Sequence, residues 1–220
     1  MQQDKFQRFL AVSGVLAGIM LIAGLVLTGS EPSADNPSVQ TLTSWYGDHR
    51  TAATIANLVI APLFAFFMLF FGTGLRAKLR SGEAGESTYS SVVSSASTLV
   101  AFAVILMASI DAALVAAVHN RSDQAAQTIY LVGSYTWLPW AAPAAALLVA
   151  TGLGGLRTAA FPTAFSWISL VLGVLTLTPF GIATFMILPL WLIFSGVMMF
   201  RGLNPKPAAQ TRKAVVGATA

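Results

Sequence analysis

Residues 92–118 read VVSSASTLVAFAVILMASIDAALVAAV, an apolar run in which Asp111 is the one charged side chain. A helix rises 1.5 Å per residue, so such a run exceeds the ~20 residues needed to cross a ~30 Å hydrocarbon core. Further apolar segments lie at about 9–29, 52–75, 129–154, 162–180 and 183–200. In the 220-residue chain 56% of the residues are hydrophobic and only 9% are charged, whereas soluble domains carry roughly 25% charged residues. A chain of this composition cannot cover a water-facing surface. The pattern predicts an all-α, polytopic integral membrane protein, a bundle of six transmembrane helices in one domain over 1–203. Barrel strands would instead show alternating segments of ~10 residues. The segment 204–220, NPKPAAQTRKAVVGATA, has little to bury and is expected to be a disordered cytoplasmic tail.

Charge sets the expected orientation. With the N-terminus inside, the inner segments hold Lys5, Arg8, Arg76, Lys78, Arg80, Arg157, Arg201, Lys206, Arg212 and Lys213, which leaves Arg50 and Arg121 as the outer exceptions among 12 lysines and arginines. Short loops rich in Lys and Arg stay in the cytoplasm, so both termini are expected there, in an N-in/C-in arrangement. A multi-pass protein of a cell membrane, the bacterial plasma membrane, follows as the expected location. The net charge of +4 is explained by this bias and by attraction to anionic headgroups, and implies no nucleic-acid partner. The first segment is read as a retained anchor, because it is longer than a 7–15-residue signal core and TGSEPSADNPS offers no A-x-A-like site. The loops 30–50 and 119–128 are assigned outside, and 80–91 is read as a flexible inner loop.

Asp111 sits eight residues below His119, about 12 Å beneath the outer interface. Charged side chains at such depth face the bundle interior or a wet cavity. Ser90, Ser94, Ser97, Ala101, Val104, Ala108, Asp111 and Val115 share one helical face, small enough for close helix approach, so Asp111 is expected buried on a packed side. Asn57, on one face with Arg50 and Thr54, lies at matching depth and is its expected hydrogen-bond partner. Above them the outer side gathers Trp45, Tyr46, His49, Arg50, His119, Arg121, Tyr130, Tyr135, Trp137 and Trp140. The candidate ligand-binding set is Asp111, Asn57, Arg50, His49, His119, Trp137 and Trp140.

Several chemistries find no support in the residues. The chain has no cysteine, which removes disulfides, thiolate ligands and cysteine nucleophiles. There is no HExxH and no other close ligand spacing, so no metal and no cofactor is expected. Haem b would want histidines inside the membrane, and both lie at its edge. GLGGL at 152–156 lacks the GK[ST] of a phosphate loop and reads as close helix packing. The favoured function is binding or transport of a small or lipophilic molecule through an outward-facing polar pocket centred on a buried aspartate, with the lipid bilayer as the other partner. The alternatives are a membrane-embedded enzyme using Asp111 as general acid and a non-catalytic membrane subunit or sensor. Of these readings, an enzymatic role is less favoured than binding.

Overall fold

The computed structural model of the chain describes residues 2–29, 32, 37–83, 85 and 88–202. The expected tail at 204–220 lies outside the described residues, as does part of the 80–91 loop. Among the described residues all regular structure is helical: α1 (Gln2–Thr28), α2 (Val39–Asp48), α3 (Arg50–Ile55), a π-helical turn (Ala56–Ile60), α4 (Ala61–Arg80), α5 (Thr88–His119), α6 (Asp123–Gly133), α7 (Trp137–Thr158), α8 (Thr163–Thr176) and α9 (Gly181–Gly202).

Among the described residues, five helical stretches are long and apolar enough to cross a membrane: Asp4–Thr28, Arg50–Arg80, Thr88–His119, Asp123–Thr158 and Gly181–Gly202. One of the six expected spans, the fifth segment at 162–180, does not reach that length. There the helix is α8, with 14 residues, about 21 Å of rise and so short of the hydrocarbon thickness. Proline explains the shortening. Pro162 stands at the N-cap of α8, and Pro179 lacks a backbone N–H and disfavours helical geometry at Thr178, so the chain turns before Gly181. The loops assigned to the outside are also less irregular than expected: α2 occupies most of 37–48, and α6 begins at Asp123.

Neighbouring helices run antiparallel and touch through glycines. A Cβ on Gly14 would meet Phe71, one on Gly18 would lie 2.6 Å from the Pro189 carbonyl oxygen, and one on Gly196 would lie 2.7 Å from that of Ala11. These contacts lock α1 between α4 and α9. Gly72 faces Ser97, which joins α4 to α5, and Gly152 and Gly155 face Ser166, which joins α7 to α8. GLGGL is thus a packing device, as small residues are in membrane bundles, where close backbone approach replaces the hydrophobic drive. The interior is filled by Phe64, Met68, Phe71, Leu75, Val93, Val100, Trp140, Leu147, Leu148, Leu188 and Leu192.

The outer faces are as apolar as the interior. Val26 and Ile182 are each 74% exposed, and Phe102, Leu190 and Phe194 point outward too. Such continuous apolar surface is unfavourable in water and suits lipid. Several buried hydroxyls are satisfied within their own helices: Ser13 donates to the Leu10 carbonyl at 2.6 Å, Ser97 to Val93 at 2.7 Å and Thr151 to Leu147 at 2.7 Å. This back-bonding lets polar side chains sit in an apolar layer. Between helices, the Trp191 indole N–H donates to Ser169 Oγ at 2.8 Å, tying α9 to α8.

The two ends of the bundle differ. Gln7, Lys78 and Met199 line one cleft, a Cβ on Gly82 would lie 2.6 Å from Thr158 Cβ, and the Arg157 guanidinium lies over the Tyr89 ring at 5.4 Å. The start of α1 and the ends of α4, α7 and α9 therefore share one end, with the start of α5. At the opposite end α2 and α6 cap the bundle, where Leu42, Tyr46, Ala53, Leu114, Val115, Ala117 and Ala126 form a second, smaller core.

Candidate functional site

The site is built on an irregularity in the second long stretch. Pro62 has no N–H to give the Leu58 carbonyl, and its ring would clash with that carbonyl in a regular α-helix. The chain responds by widening: the Ala61 N–H reaches back five residues to the Ala56 carbonyl, forming the π-helical turn Ala56–Ile60. One extra residue in the turn re-aims the side chains that precede it, and such bulges recur at functional sites. Asn57 lies within this turn.

α1 and α5 both pack on α4 and leave a groove between them, of about 190 Å³. Small residues explain why it stays open, since Gly24, Ala56, Ala61 and Ala108 line it and do not fill it. Its polar groups are Thr28, Asn57 and Asp111, all toward the capped end, while Met20, Leu21, Phe64 and Val104 line the deeper part. The groove is thus amphipathic along its length. Its hydrogen-bonding capacity comes from one carboxyl, one amide and one hydroxyl.

The expectation of a buried aspartate is corrected here. Asp111 is half-buried, on the wall of a groove, whereas Asn57 is buried with 8% exposure. The small-residue stripe of α5 does pack inward, as Ser90, Ser97, Ala101, Ala108 and Val115 show by their burial. Asp111 escapes full burial because the groove runs alongside it.

The remaining candidate residues separate from this pair. Arg50 and His119 line a different cavity, at the capped end, together with Arg121 and Asp123. His49 is exposed, stacked on Trp45 with ring centroids 4.6 Å apart and planes 11° from parallel, and its Nδ1 lies 3.0 Å from the Trp45 carbonyl oxygen. Trp137 is exposed. Trp140, expected at the interface, is instead buried at 3% exposure with its indole N–H unpaired, and it meets Phe185 edge-on at 4.9 Å. It touches the groove only through Phe185, which lines it. Sequence reasoning missed Thr28, Met107 and Phe185, because a groove between three helices has no linear signature. Pro62, five residues after Asn57, was the signal that could have pointed to the widened turn.

Fold and composition define a helical membrane protein. Compared with protein-family models, curated proteins and solved structures, the chain matches none.

Proposed function

We propose that this chain is a multi-pass protein of a cell membrane, the bacterial plasma membrane, with both termini cytoplasmic, and that it binds or transports a small or lipophilic molecule in the groove between α1 and α5. The observation that carries the reading is that Asp111, from α5, and Asn57, from the π turn, line one groove. The bilayer is its second partner and the route by which an apolar ligand arrives. Binding is favoured over catalysis because acid–base chemistry usually needs a second poised group near the first. Among the groove residues Asp111 is the single titratable side chain.

The test fills the groove without breaking the fold. A Cβ at Gly24 would meet only Ile60 Cγ2, at 3.7 Å, so Gly24→Leu is expected to fold and to occupy the space. The purified chain in detergent is screened by thermal unfolding against small lipophilic amines, alcohols and carboxylic acids. A ligand at 100 times its Kd stabilises by about 2.7 kcal/mol. At least one compound should raise the melting temperature of the wild type and leave Gly24→Leu unmoved, and Asp111→Asn should change which compound class binds. If every stabilising compound acts equally on wild type and Gly24→Leu, the groove is not the binding site.

A further inference from the structure

The two arginines that break the charge asymmetry of the sequence line one open cavity. Arg50 opens α3 and Arg121 follows the end of α5, and both line one cavity of about 570 Å³ at the capped end, together with His119, Thr43, Tyr46 and Asp123. Cations on the outer side work against the topology bias that places lysines and arginines in the cytoplasm. Their sharing of one cavity calls for a reason beyond solubility.

Local structure adds a second observation. Arg121 has φ +55°, a left-handed backbone that glycine adopts freely and other residues adopt at a cost in strain. The C-terminal carbonyls of α5 are already satisfied there by backbone: the Asn120 N–H donates to Ala116, that of Arg121 to Val118 and that of Ser122 to Ala117. A glycine would serve the turn better, so an arginine at this point is explained by its side chain. Among the described residues, no ion pair or hydrogen bond holds the guanidinium of Arg50 or Arg121. Asp123 lines the same cavity and offsets one of the two charges, which leaves a net positive site.

We propose that this cavity binds a phosphate group, with Arg50 and Arg121 as its charged donors and His119 as a neighbouring hydrogen-bonding group. The planar guanidinium matches phosphate oxygens in pairs, so two arginines lining one cavity select phosphate over a simple halide. The cavity lies beyond the apolar stretches, at the capped end, and its phosphate belongs either to a phospholipid or to a free ion from the medium. The proposal is independent of the groove below, since no residue is shared between the two linings.

The chain has two histidines, one in the cavity and one outside it, so the wild type supplies its own control. Diethyl pyrocarbonate modification of the full chain in dodecyl-maltoside micelles is followed residue by residue by mass spectrometry, in one arm with inorganic phosphate and in the other with micelles doped with phosphatidate. Protection of His119 with His49 unprotected is the expected result. Protection by inorganic phosphate identifies a free-phosphate site, and protection by phosphatidate alone identifies a headgroup site. The Arg50→Gln, Arg121→Gln double variant should need about tenfold more ligand, the loss of one charge-assisted hydrogen bond or more. No protection in either arm at millimolar ligand overturns the proposal, and so does equal protection in the double variant. Arg50→Lys and Arg121→Lys, which keep the charge and lose the paired geometry, serve if the double variant does not fold. Both should weaken protection, and unchanged protection in both counts against the site.

Discussion

At Gly152 one hydrogen atom decides whether two helices can meet. A Cβ there would lie 2.7 Å from the Ser166 carbonyl oxygen and 2.8 Å from the Leu170 nitrogen, both backbone atoms that cannot step aside. Gly152→Ala is therefore expected to destabilise by about 1–3 kcal/mol, the usual range for overpacking, with a lower melting temperature in detergent. Gly47, with nothing within 4 Å of its would-be Cβ, is the contrast. Gly47→Ala should be neutral or stabilising by up to about 1 kcal/mol, since alanine is the better helix former. Equal losses at the two positions would mean that α7 and α8 are not in close contact. Asp111 teaches the same lesson from the polar side: its burial is set by what lies across from it, and the space across from it is a groove.

At the scale of the element, α5 shows how a long helix is started. Its first turn is closed by Glu83, whose carboxylate accepts the Ser90 hydroxyl at 2.6 Å and the Ser90 N–H at 3.0 Å. Desolvation pushes the Glu83 carboxyl upward, but the hydrogen bonds from Ser90 and Tyr89 and the charge of Arg80 outweigh it and hold it below the ordinary glutamate value. The native state thus binds that proton less readily than the unfolded chain does. The stabilisation is fully present above the ordinary glutamate value and is lost as pH falls through the lowered native value. Glu83→Ala should cost about 1 kcal/mol at neutral pH, a typical capping loss, and the gap to wild type should close in acid. A gap that persists unchanged at the acid end would show that the carboxylate charge is not what closes the turn.

The whole molecule is polarised. Lys5, Arg8, Arg76, Lys78, Arg80, Arg157 and Arg201 stand at the end where the chain starts and α9 finishes, while Arg50 and Arg121 stand at the capped end. With this end in the cytoplasm, a cysteine placed at exposed Ser38 should react with an impermeant thiol reagent on intact cells. One at exposed Ser81 should react only after lysis. The native chain has no cysteine to interfere. The reverse labelling pattern would invert the proposed orientation. The short α8, with 14 residues, returns the chain so that α9 runs beside α1.

Composition and the length of apolar runs determined the solvent class, because lipid leaves a helix no partner for its backbone except itself, and a run long enough to span shows in the sequence alone. The lopsided distribution of Lys and Arg likewise reads directly, since the bias acts on loops one at a time. The small-residue face of α5 was legible from its spacing, and GLGGL from its glycines. Only the tertiary structure decided the rest. The stop after Thr176 depends on a turn at Pro179, and hydropathy does not weigh turns. The helices α2 and α6 are stabilised by each other and by the top of α5, a contact no local pattern announces. The separation of Asp111 and Asn57 from Arg50 and His119 depends on where α1 and α2 lie against α5, because a groove is the space that several helices leave unfilled, and no single stretch of sequence encodes it.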